Sequence, residues 1–133
     1  MKKVTYFLFI FLPFFCYSQK QFEVFFDFNK DVPNELSQNK INQWVLDNKN
    51  VEIIQVLGYC DSVDDSKYNK DLAMRRVNAM IKFFNNNNIK IADRVELNAI
   101  GKDLKYSKNQ SENRKVIISY FEPKSEISTI AND

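Results

Sequence analysis

The chain has 133 residues, 44% hydrophobic and 27% charged, enough for one ordinary globular core and too few for two. Lys and Arg number 19 against 17 Asp and Glu, and there is no histidine. A nearly even balance argues against the basic face of a nucleic-acid binder. The missing histidine removes His-based triads, the commonest general base and most zinc sites.

At the N-terminus, Met1, Lys2 and Lys3 precede an apolar, aromatic-rich run over 4–15, and Cys16, Tyr17 and Ser18 then lead into polar sequence. The pattern predicts a signal peptide over 1–18, cut after Ser18. A membrane span needs roughly 20 apolar residues; this run is shorter and contains Pro13. Without Lys2 and Lys3 the remaining chain carries as many basic as acidic residues, and without Cys16 its only thiol is Cys60, so no internal disulfide can form. Attachment to a membrane is expected only if the signal stays uncleaved or Cys16 is lipidated. Phe15 disfavours the second route, which calls for a small residue before the cysteine.

Residues 21–28 (QFEVFFDF) alternate, with Phe22, Val24, Phe26 and Phe28 on one side and Gln21, Glu23 and Asp27 on the other; Phe25 is the exception. They predict a first strand with one apolar face. Turn-forming residues fill 29–34, and Pro33, Asn34 and Glu35 suit a helix start. That helix is expected to reach about Asn48, with Leu36, Ile41, Trp44, Val45 and Asn48 as its inner stripe. Residues 51–57 (VEIIQVL) are apolar on both alternating faces with Gln55 as the one polar interior position, the pattern of a central strand covered on both sides. Strand, helix and strand make a βαβ unit.

A loop over 58–66 leads to a second helix over 66–85. At 100° per residue Arg76 falls roughly 40° from Leu72, inside the apolar arc, whereas Arg75 falls on its shoulder. Four asparagines over 85–88 end the helix. Residues 95–100 and 115–121 predict two more strands, separated by a polar loop over 101–113, and the polar tail 123–133 is expected to be disordered. The order is βαβαββ in a single domain.

The stretch 58–76 carries the chemistry. Asp61 stands at the end of a buried strand and Arg76 on the inner side of the following helix. Buried charges are costly unless paired, so the two either satisfy each other or await a ligand bearing both signs. A zwitterion suits the second case, its ammonium on Asp61 and its carboxylate on the guanidinium fork. Cys60 alone reads as a small buried residue. Asp61, Asp64 and Asp65 lack the spacing, central glycine and distal glutamate of a calcium loop, and two glycines provide no phosphate cradle. No metal site, cofactor or catalytic residue is expected.

From Phe22 to about Phe121 the chain resembles the OmpA-like peptidoglycan-binding domain found in OmpA, Pal lipoproteins and MotB. FFDFNK (25–30) looks like its first-strand signature, and GYCDSVDDSKYN (58–69) like its Gly-His-Thr-Asp loop followed by Tyr-Asn. NKDLAMRRVNAM (69–80) is similar to its Asn-x-x-Leu-Ser-x-x-Arg-Ala helix, and NRKVIIS (113–119) to its closing Asn-Arg-Arg-Val strand. The departures are Tyr59-Cys60 for His-Thr, Asp64 for the loop glycine, and Ala73 and Val77 in the helix motif. The resemblance implies an α/β (α+β) domain over 19–122, with a four-stranded mixed sheet packed by two main helices. It also implies a non-enzymatic role at the periplasmic or outer-membrane side of the envelope, with peptidoglycan as partner and other envelope proteins as the alternative. By the same resemblance Asp61 would bind the ammonium of diaminopimelate and Arg76 its carboxylate, with Asn69, Cys60, Asn113 and Arg114 completing the site.

Overall fold

A computed structural model describes residues 18–59, 66–100 and 110–123. The first strand, β1, spans Ser18–Phe25, and helix α1 spans Glu35–Asp47. Strand β2 covers Glu52–Tyr59, helix α2 Ser66–Asn86, strand β3 Lys90–Ile100 and strand β4 Lys115–Glu122, the last preceded by a single 3-10 turn over Gln110–Asn113. The sheet order is β1-β4-β2-β3; β4 runs antiparallel to both its neighbours, and β2 and β3 are parallel. The predicted single α+β domain with four mixed strands and two helices is therefore the observed one. Beyond the described residues lie most of the predicted signal, the 60–65 loop, residues 101–109 and the tail after Pro123.

Local chemistry sets the start of α1 and the end of α2. The side chain of Asn34 caps α1 by accepting from the Ser37 amide at 2.9 Å, satisfying one of the amides a helix start leaves open. At the C-terminal end of α2 the asparagine run acts as expected. Asn88 adopts a left-handed φ of 57°, and the Ile89 amide reaches back to the Phe84 carbonyl at 3.0 Å, the bond of a Schellman cap.

Four expectations need correction. First, β1 ends at Phe25, because the chain turns at 27–30, where the Lys30 amide bonds the Asp27 carbonyl at 3.1 Å; Phe28 is 53% exposed on that turn instead of buried in a strand. Second, Leu36 is 64% exposed. It lies about 140° round the helix from Ile41, and Ser37 takes the inward position, its hydroxyl accepting from the Phe25 amide at 2.9 Å. Third, both helices pack on one face of the sheet, so β2 is covered on one side by them, while Ile54 and Leu57 are half-buried. Gln55 lies on the other face in a chain of hydrogen bonds from Ser119 and to Glu96. Fourth, the parallel strands β1 and β2 are not neighbours, since β4 lies between them.

β3 also starts earlier than the alternation suggested, at Lys90. While β2 advances from Ile53 to Gln55, β3 advances from Ile91 to Glu96, so residues 92–95 bulge away from the ladder and lose the period-2 pattern that marks a regular strand.

The main core joins Val24, Ile53, Val56, Val116 and Ile118 of the sheet to Ile41 and Val45 of α1 and Val77, Met80 and Phe84 of α2. At one end Phe22, Trp44 and Tyr120 stack at centroid distances of 4.7 to 5.9 Å. At the other end, α2 comes so close to β2 that a Cβ on Gly58 would lie 2.5 Å from the Ala73 carbonyl oxygen and 2.8 Å from a Val77 methyl. Glycine is needed here for space. Gly58→Ala should push α2 outward and cost about 1–3 kcal/mol, measurable as a lower urea midpoint, whereas Leu46→Ser on the exposed face of α1 should stay within about 0.5 kcal/mol of the parent.

Candidate functional site

Because β4 enters between them antiparallel, β1 and β2 end on the same edge of the domain. The 26–34 loop, Tyr59, the start of α2 and the approach to β4 all meet there. Arg76 reaches this edge from the inner face of α2 and is completely buried. Its Nε donates to the Lys30 carbonyl at 2.8 Å, Nη1 to the Tyr59 carbonyl at 3.3 Å and Nη2 to the Asp27 carbonyl at 3.3 Å. The Phe26 ring lies beneath the guanidinium, 5.0 Å from Cζ to centroid, a cation–π contact strengthened by the absence of water. Close-packed α2, held by Gly58, fixes the depth from which this side chain extends.

Arg114 grips the same loop from the β4 side. Its Nε donates to the Phe26 carbonyl at 3.2 Å, and the Phe26 amide donates to the Arg114 carbonyl at 2.9 Å. The loop is closed further along by the Phe26–Pro33 bridge and by the Asn34 amide on the Phe25 carbonyl at 2.9 Å. Asn113 is buried beside Arg114 in sequence, and Asn69 is buried on α2 two turns before Arg76, roughly 10 Å up the helix axis. Arg76 and Arg114 thus meet on one loop. Asp61 and Cys60 lie outside the described residues.

A cavity of about 310 Å³ opens along this loop, lined by Phe26, Asp27, Lys40, Glu112 and Arg114 among others. Another of about 330 Å³ lies between the two helices over Val32, Pro33, Ile41, Met80 and Phe83. The first has the charged groups and touches the residues that hold Arg76 in place; the second is mainly an apolar groove. No cluster of potential metal ligands occurs among the described residues.

Sequence reasoning placed Arg76 inward but did not anticipate Phe26 as the surface under the guanidinium, Gly58 as the spacer, or the carbonyls of Asp27, Lys30 and Tyr59 among its partners. Backbone acceptors carry no side-chain signal. The signal that was available is the pairing of a glycine at a strand end with Ala73 and Val77 on the facing helix.

The family model described as OmpA family matches residues 25–118, which takes in the loop, both helices, Arg76 and Arg114. The chain belongs to the OmpA family. Among solved structures its fold is similar to the peptidoglycan-associated lipoprotein of Burkholderia pseudomallei, at 20% identity over 74% of this chain and 88% of that one, TM-score 0.58. The cell wall anchor of the T6SS from Pseudomonas aeruginosa matches at 14% identity over 77% and 81%, TM-score 0.60. The periplasmic domain of Helicobacter pylori MotB matches at 17% identity over 86% and 82%, TM-score 0.58. No curated protein matches the chain.

Replacing Arg76 with Met keeps the stem's bulk but removes its hydrogen bonds to the Asp27, Lys30 and Tyr59 carbonyls, bonds to a charged group being worth about 1.5–3 kcal/mol each. Arg76→Met should accordingly lower the unfolding free energy far more than Arg75→Met, whose parent side chain is half-exposed and meets Asp31 only at 3.7 Å; urea denaturation of the two variants compares them directly.

Proposed function

We propose that this OmpA-family domain binds peptidoglycan without covalent chemistry, at the edge where Arg76 is held, by clamping a diaminopimelate-type zwitterion of the stem peptide. The observation that carries the reading is a completely buried guanidinium with three backbone carbonyls among its partners. They hold and orient the cation, whose guanidinium fork matches the two oxygens of an anion such as a carboxylate. In the proposed complex that anion is the ligand carboxylate, and Asp61 receives the ammonium. Arg114 and Asn113 shape the loop from the β4 side, and Asn69 and Cys60 complete the rim. The reading is supported by family membership and by similarity in fold to proteins described as peptidoglycan-associated and as a cell wall anchor.

The N-terminal pattern supports export, which would bring the domain to the wall on the periplasmic side. A bound zwitterion needs no cofactor and no reacting group, so the protein is proposed to act as a binder and not as an enzyme.

The complete burial of Arg76 favours one specific rival, in which Asp61 itself supplies the anion and the domain serves as an adaptor for another envelope protein. Sedimentation with purified, diaminopimelate-containing peptidoglycan separates the two. On the wall-binding reading the parent pellets with the wall, and Asp61→Asn weakens binding roughly 10- to 100-fold, the value of a charge-assisted bond. A parent protein that stays in the supernatant would overturn it in favour of the adaptor.

A further inference from the structure

The turn that surrounds Arg76 also presents an aromatic ring to solvent. Phe28 is 53% exposed, belongs to neither buried apolar cluster and makes no ring contact among the described residues. The alternation of β1 would have buried it. Instead Asn29, with a left-handed φ of 56°, reverses the chain immediately after it, and asparagine is one of the few residues that takes this conformation readily.

The backbone that carries the ring is held on both sides. The carbonyls of Asp27, just before Phe28, and of Lys30, two residues on, both accept from the Arg76 guanidinium, and the Lys30 amide closes the turn on Asp27. Phe26 is fixed to Arg114 and bridged to Pro33. An exposed aromatic side chain on a pinned turn loses little freedom when something docks on it.

We infer that Phe28 is a stacking platform for a pyranose ring of the glycan strand, so that the domain reads sugar as well as peptide. The inference rests on the proposed peptidoglycan binding and adds to it a second, chemically different contact. The face of a phenyl ring carries the negative side of its quadrupole, and one face of a pyranose presents a patch of weakly positive C–H groups. Phe28 lies on the same turn whose carbonyls hold Arg76, and in peptidoglycan each stem is joined to a sugar.

Titration calorimetry with two probes tests this: a diaminopimelate tripeptide, and the same tripeptide carrying its disaccharide. The parent should bind the disaccharide form roughly three- to tenfold more tightly, the worth of one aromatic contact. Phe28→Ala should remove that difference and leave the affinity for the bare tripeptide and the thermal midpoint unchanged, and Phe28→Trp should keep it. A parent that binds both probes equally, or a Phe28→Ala variant that keeps the preference, overturns the sugar contact and leaves peptide binding standing. A Phe28→Ala variant that loses both probes alike overturns it too, in favour of a contact to the peptide. Binding of neither probe by the parent overturns this inference together with the function it rests on.

Discussion

A cation buried among carbonyl oxygens links segments far apart in the chain. Through Arg76, helix α2 holds the turn after β1 and the last residue of β2 at once. Removing a guanidinium from water costs several kcal/mol, which its hydrogen bonds only offset. The arrangement therefore contributes geometry more than stability. It dictates where the 26–34 loop lies and leaves it few alternatives, a degree of order that an apolar residue of the same size at position 76 could not impose.

That constraint depends on the order of the strands. With β4 between β1 and β2, the two chain ends that must meet around Arg76 are one strand apart, a gap that the guanidinium and the Phe26 ring fill. Had β1 and β2 been direct neighbours, Asp27 and Tyr59 would stand too close for a planar cation between them. β4 is also what brings Arg114 alongside, bonded to Phe26 through both backbone and side chain.

Much of the fold was legible in the residues. The alternation of β1, the Pro33-Asn34-Glu35 start, the asparagine stop and the inward bearing of Arg76 are all short-range signals, and the structure follows them. The failures have a common cause. Phe28 and Leu36 look apolar in isolation, but which side of an element faces the core is decided by partners distant in sequence: Arg76 draws the turn that expels Phe28, and the Phe25 amide claims Ser37 in preference to its neighbour. The start of β3 was hidden because a bulge breaks periodicity. At the site, the charged side chains were visible from their types and the carbonyls around Arg76 were not, since every residue has one. The pairing of Asp61 with Arg76 was inferred from charge and resemblance, and the described residues include only the arginine.

The bulge at 92–95 bears on how the protein survives outside its folded context. β3 is an edge strand, and a straight edge would expose a row of amides and carbonyls ready to recruit another extended chain. Here the ladder is broken where Asp93 and Arg94 point into solvent, with Lys90 and Glu96 on either side. Any strand trying to add itself there meets a kink and four charges. Where many copies of the domain stand side by side, such an edge keeps crowding from turning into aggregation.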